Sequence, residues 1–293
     1  MINRSVMRGT HILHLMADCN NSPRLHNYCS PGFQTLGFSF RAHRNLRINS
    51  RLGYETASTI IPLGIAHAGA RIAQPMDWKR YFGPKVVSIQ VGMPRTVQLK
   101  GEEITTGIFK TPVKKTIPLH WLNLEGDQQA DLSVHGGQDK TVYTYPSEHY
   151  SFWKKELPGV DLPWGAFGEN FTTAGLLEDA VCLGDRFTIG TAEVVVTQPR
   201  LPCFKLNLKF DRNDMAKRFL ASRRTGFYLR VLREGEVAPG DKIVRIHQDE
   251  NRVSVSDAMR IYLHDPNSND LLRRALQVQY LSASWREKFS QQI

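Results

Sequence analysis

Short runs of β-forming residues, each cut off by glycine or proline, are the feature that most constrains this chain. Residues 85–91 (Lys-Val-Val-Ser-Ile-Gln-Val) stop at Gly92 and Pro94. Residues 97–99 and 103–108 flank Lys100-Gly101 and read as a strand pair. Residues 187–189 and 193–197 are joined by Gly190-Thr191, and 242–246 follows the turn Pro239-Gly240-Asp241. Glycine enters turn conformations that other residues resist, and proline withholds the donor a sheet interior needs, so each break ends a strand. Two helices are inserted, at 214–221 and at 147–156, the latter starting after Pro146 and closing before Pro158. Many short strands with few helices predict a mainly β (α+β) body, a β-barrel with inserted helices.

The two ends of the chain follow other rules. Residues 1–75 hold eight arginines, no lysine and two acids (Asp18 and Glu55), so +6 of the net charge of +10 sits here. The stretch lacks sustained periodicity, and such a segment buries too little apolar surface to offset its ordering entropy. It reads as an N-terminal extension, disordered or targeting. An Arg-rich, acid-poor start suits an organelle transit peptide; the alternative is an upstream extension with Met76 as the natural start. The body is expected in the cytoplasm, or in an organelle if 1–75 is a transit peptide. After residue 247, the segments 253–263, 269–276 and 282–289 each read as a short helix, with Ser268 and Ser282 as N-caps. The expected division is therefore 1–75, a barrel domain over 76–246 and a three-helix domain over 247–293.

Composition removes several function classes. The chain is 41% hydrophobic and 23% charged, ordinary for a globular protein. Beyond residue 75 the net charge is only +4 and no nucleic-acid-binding module is present, so no nucleic-acid partner is expected. The most apolar early run, 57–73, is broken by Pro62, His67 and Arg71. It falls short of the ~20 uninterrupted apolar residues that span a bilayer, so no membrane role is expected. The four cysteines, Cys19, Cys29, Cys182 and Cys203, form no CxxC pair and no zinc or disulfide spacing, which suits a reducing compartment.

Two segments carry chemistry. In 124–140, His135 is followed by Gly136 and Gly137 and then by Asp139 and Lys140, so bare backbone and charged groups converge on a short loop. In Gln198-Pro199-Arg200-Leu201-Pro202-Cys203-Phe204-Lys205, two prolines stiffen the backbone ahead of the cysteine, and Arg200 and Lys205 flank it. Cations beside a thiol favour the thiolate, the form that binds metals or attacks electrophiles; the alternative is an inert buried cysteine. Cys182 has apolar neighbours and reads as core. Tyr143, Tyr145, His149, Tyr150 and Trp153 read chiefly as packing around the first helix, with room for one to stack on a heteroaromatic ligand.

Taken in order, Leu124-x-Gly126-Asp127, Val134-His135-Gly136-Gly137, Phe167-Gly168-Glu169-Asn170, Gly184-Asp185 and Gln198-Pro199-Arg200-x-Pro202-Cys203-x-Lys205 resemble the MOSC family, over residues 82–290. The resemblance is to its YiiM-type branch, in which a β-barrel is followed by a three-helix domain. It implies a molybdenum cofactor (molybdenum held by a pterin dithiolene) with Cys203 as catalytic residue and metal ligand. From their charge and proximity, Lys140, Arg200 and Lys205 are expected to neutralise the cofactor. His135, Gly136 and Gly137 are expected to line the pocket, and Glu169 and Asn170 to hydrogen-bond the pterin edge. The implied activity is reduction of N-hydroxylated purine-like bases and hydroxylamines to amines. The sequence has no flavin, haem or iron–sulfur motif, so a separate reductase, a flavoprotein, is the expected electron donor. Two other functions fit the resemblance: a sulfur carrier using a Cys203 persulfide, and a non-catalytic module that stores or delivers the cofactor.

Overall fold

The computed structural model describes residues 83–99, 101–130, 136–265 and 269–293. The expected extension with Met76, the His135 position and the Ser268 cap lie outside the described residues. The strands are β1 (Lys85–Val91), β2 (Arg95–Leu99), β3 (Glu102–Thr106), β4 (Thr111–Val113), β5 (Ile117–Leu119) and β6 (Val142–Pro146). They continue with β7 (Phe171–Ala174), β8 (Arg186–Ile189), β9 (Ala192–Pro199), β10 (Phe227–Arg233), β11 (Gly235–Val237) and β12 (Ile243–His247). The helices are α1 (His149–Glu156), α2 (Phe204–Phe210), α3 (Met215–Ser222), α4 (Val255–Tyr262), α5 (Asn269–Gln277) and α6 (Ala283–Ser290).

Eight strands form one sheet in the order β12-β8-β9-β10-β6-β7-β1-β4. The second half of β1 pairs with β4, Ile89 opposite Val113. Its first half bonds instead to the lead-in of β12: Val86 N donates to the Asp241 carbonyl at 2.9 Å and Ile243 N to the Pro84 carbonyl at 2.8 Å. With Lys85 bridged to Lys242, these bonds tie the two ends of the sheet together and close the barrel. The parallel pair β6 and β7, Thr144 opposite Phe171, needs a crossover, which α1 supplies.

β6 is buried on both faces. Val142 joins the apolar interior with Val86, Phe171, Val196 and Leu229. Tyr143 and Tyr145, one residue out of phase, face a second core with Trp153, Phe167 and Phe219. There the Trp153 indole N–H donates to the Tyr145 hydroxyl at 2.6 Å, and the Trp153 and Phe219 rings stack at 5.7 Å. This aromatic layer is the floor on which the functional residues rest.

The helical tail shares the barrel's core. Val255, Met259, Leu272, Trp285 and Phe289 are buried in the same cluster as the strand residues. Leu183 N donates to the Val253 carbonyl, Val255 N to that of Val181, both at 2.9 Å, and Ser282 N to that of Thr197 at 3.3 Å. Ser254 starts α4 with a capping box closed by Asp257, and Ser282 caps α6 by accepting from Trp285 N. Among the described residues, no helix is long and apolar enough to cross a membrane.

Candidate active site

β9 delivers the cysteine segment. The strand ends at Pro199, and Arg200 N holds the last rung by donating to the Gly226 carbonyl at 3.2 Å. Cys203 then takes the N-cap position of α2 in extended backbone, with its carbonyl accepting from Leu206 N at 2.9 Å. Its thiol is partly exposed and caps no backbone group.

Arg200 is the anomaly of the site. Only 5% of it is exposed, and its guanidinium lies against two aromatic rings, 4.8 Å from the Tyr143 centroid and 5.0 Å from that of Phe219. No carboxylate among the described residues forms an ion pair with it, and its Nη1 has no hydrogen-bond partner. A buried cation is ordinarily paired, because an unpaired one forfeits hydration without return. Burial pushes the Tyr143 and Tyr228 hydroxyls above the usual phenol range, with Arg200 pulling the other way, so both remain protonated at neutral pH. The Tyr143 hydroxyl donates to the Thr225 carbonyl at 2.9 Å.

The facing wall is built on Asp127. Its carboxylate accepts from Gly92 N and from Asn170 Nδ2, both at 2.9 Å, and from the Lys110 ammonium. Asn170 completes the lattice: its Oδ1 accepts from Tyr143 N at 3.1 Å, and its Nδ2 also donates to the Gln90 carbonyl at 3.3 Å. Burial lowers the Lys110 pKa, opposed by the attraction of Asp127.

Between these walls is a cleft of about 680 Å³ counted out to its open mouth. Among the described residues its lining brings together Lys110, Lys140, Arg200 and Lys205 with one acid, Asp127, and with Cys203. The electrostatics favour an anionic ligand. Among the described residues no three of His, Cys, Asp and Glu are grouped to hold a metal.

Of the residues expected from the sequence, Cys203, Arg200, Lys205, Lys140 and Asn170 come together on this cleft. Glu169 does not. It is wholly buried beneath the loop, accepting from Gly165 N at 2.8 Å, Phe167 N at 3.1 Å, the Thr172 hydroxyl at 2.9 Å and the Tyr150 hydroxyl. Four buried donors take up its two carboxylate oxygens, and these bonds latch the loop. Gly136 and Gly137 are not part of the wall. Gly137 is needed for its φ of +89°, and a Cβ there would meet open space. His135 lies outside the described residues. Sequence reasoning missed Lys110 and Tyr228, which reach the cleft through tertiary contacts, and gave Asp127 no role beyond its motif.

A barrel with a helical tail and a cationic cleft around a strand-end cysteine defines a recognisable class. Residues 131–244 match the model of the MOSC domain, and residues 253–293 that of the YiiM-like 3-alpha helix domain. The chain is 45% identical over 214 residues to the uncharacterized protein YflK of Bacillus subtilis, spanning 73% of this chain and 95% of that one. It is 38% identical over 194 residues to protein YiiM of Escherichia coli, spanning 64% of this chain and 85% of that one. A protein of Gibberella moniliformis bearing the name Reductase is 34% identical over 181 residues, 61% of this chain but 32% of that one. The crystal structure of YiiM from Geobacillus stearothermophilus aligns with a TM-score of 0.60 at 36% identity, covering 71% of this chain and 98% of that one. This chain belongs to the MOSC family, in the YiiM-like group that carries the C-terminal three-helix domain.

Proposed function

We propose that the cleft holds a molybdenum–pterin cofactor with Cys203 as the protein's sulfur ligand, and that the chain reduces N-hydroxylated purine-like bases and hydroxylamines to amines. The observation that carries this reading is Arg200, a buried guanidinium on the lining of the cleft whose Nη1 has no partner among the described residues, beside three lysines on the same lining. Its unmade bond calls for an anionic oxygen or sulfur from outside the chain, as the phosphate and dithiolene of such a cofactor provide. The fungal relative's name supports a reductive role.

When bound, the cofactor supplies the two-electron chemistry, and the protein supplies binding, orientation and electrostatics. Cys203 gives up its thiol proton on becoming a ligand, since only the thiolate coordinates. Arg200, Lys140 and Lys205 offset the negative charge that ligation concentrates in the cleft. Asn170, pinned at both ends of its amide, fixes the distance between the two walls. The net reaction is R–NHOH with two electrons and two protons giving R–NH2 and water, with the electrons coming from a separate flavoprotein reductase.

Molybdenum and pterin analysis of protein made in a host that synthesises the cofactor, joined to a reductase-coupled assay, tests this reading. Bound molybdenum with turnover is the expected result. Cys203→Ser is expected to keep the fold, to abolish turnover and to remove one sulfur neighbour from the X-ray absorption spectrum at the molybdenum edge. A persulfide on Cys203 without metal identifies a sulfur carrier instead, and bound cofactor without turnover identifies a delivery module.

A further inference from the structure

We propose that Lys110 is the proton donor of this cleft, its ammonium hydrogen-bonding the N-hydroxyl oxygen of the substrate and protonating it as the N–O bond breaks. The proposal rests on the reductase reading above and adds the residue that handles the proton.

Lys110 keeps hydrogen-bonding capacity that its neighbours have spent. The side chain of Lys110 is 9% exposed and lines the cleft. Its neighbours there are already committed. Asp127 receives donors from Gly92, Asn170 and Lys110 on its two oxygens, and the Asn170 amide is engaged at both of its atoms. Thr106 accepts from Ile108 N at 3.2 Å. An ammonium has three N–H bonds, and among the described residues Asp127 is the partner for one. Two N–H bonds are thus left on the group that Asp127 holds at the wall. Such a donor selects an oxygen acceptor, which the N-hydroxyl group offers and the amine product has lost.

The geometry is matched by acidity. Burial, the larger cause, pushes the Lys110 amine below the ordinary lysine value, against the pull of Asp127 and Glu169. An ammonium weakened in this way gives up its proton more readily than an ordinary lysine. The other charges that face it are Lys209 from α2, and Lys140, Arg200 and Lys205 on the same cleft. Lys110 gives one proton to the hydroxyl oxygen, the N–O bond breaks, and that oxygen leaves as water. Two electrons, supplied ultimately by the flavoprotein donor, remain on the nitrogen. Solvent provides the second proton that completes the amine, and then reprotonates Lys110.

The test compares wild type, Lys110→Arg and Lys110→Gln in the cofactor-loaded protein with its reductase, measuring molybdenum content, melting temperature, kcat and KM across pH. In wild type, kcat is expected to fall as pH rises through the Lys110 pKa. Arginine keeps the charge but is too weak an acid, so both variants should lose kcat by about 100-fold or more, with molybdenum content and KM retained and the alkaline limb gone. Lys110→Arg turning over near the wild-type rate with the limb intact overturns the proposal, as does rescue of a folding defect by arginine with full activity. If both variants fail to fold, wild type decides. Competitive acetylation of Lys110, followed by peptide mass spectrometry, should give a titration that coincides with the kcat limb. A Lys110 that titrates like an exposed lysine refutes the assignment. Wild type without molybdenum or turnover is a distinct failure, of the reductase reading itself, and it takes this proposal with it.

Discussion

Glu169 separates two readings of one motif, and its substitution tells them apart. In the sequence it sits beside Asn170 on a glycine-led loop and reads as a cofactor contact. In the structure its carboxylate gathers two backbone N–H groups and two hydroxyls, all of them buried. The raised pKa of Tyr150, caused by burial first and Glu169 second, keeps that hydroxyl a donor. Glu169→Gln has nearly the same shape. Its best rotamer retains the oxygen that serves Tyr150, Gly165 and Thr172 but turns an NH2 towards Phe167 N. One buried donor is then unsatisfied and three bonds lose a charged acceptor, a cost of about 2–4 kcal/mol. For a body of this size each kcal/mol shifts Tm by roughly 2–4 °C, so a drop of roughly 5–15 °C is expected. Glu169→Ala strands all four donors and costs more than ~4 kcal/mol, approaching the whole stability of a typical domain. The assay is calorimetric or circular-dichroism melting of both variants, with cofactor content measured on protein that remains folded. A Glu169→Gln protein that melts with wild type yet loses its cofactor would refute the latch and restore the sequence reading.

Two further outcomes follow from the same structure. Deleting residues 253–293 should abolish cooperative unfolding of the barrel, because the tail fills its apolar core and supplies partners for Leu183 and Val181; an unchanged β-type circular dichroism spectrum and sharp melt after deletion would contradict the shared core. Lys209, buried against the carbonyls of Ile108 and Gly165, has its amine lowered from 10.5 to about 8, burial being the first cause. The folded chain therefore sheds this proton at lower pH than the unfolded chain. The lysine's contribution to stability rises between about pH 8 and 10.5, by at most ~1.4 kcal/mol per unit, and is flat on either side. Urea titrations of wild type and Lys209→Met across that window should differ in slope, and parallel curves would dismiss the shift.

What was legible in the sequence, and what was not, divides along physical lines. Strands with one buried face or a tight turn announced themselves: residues 85–91 and the pair around Gly190-Thr191 match β1, β8 and β9 to within two or three residues. β6 was missed because both of its faces are covered, so Val142 to Pro146 shows no alternation to read. β10 does alternate, with Phe227, Leu229 and Val231 inward, so the signal was there to be used. The same division governs the site. Arg200, Cys203 and Lys205 lie within six positions of one another, and the prolines around them constrain their backbone locally, so contiguity made them readable. Lys110 and Asp127 stand 17 residues apart and pair directly, with Asp127 held in place by Gly92 and Asn170, contacts that exist only once β1 and the loop before β7 are in place. Glu169 and Asn170 mark the limit of motif reading. They are adjacent in sequence, but the backbone that follows Gly168 at φ +82° turns the first into the protein and the second towards the cleft. A motif can locate such a loop, but the fold decides which of two neighbouring polar side chains faces the ligand.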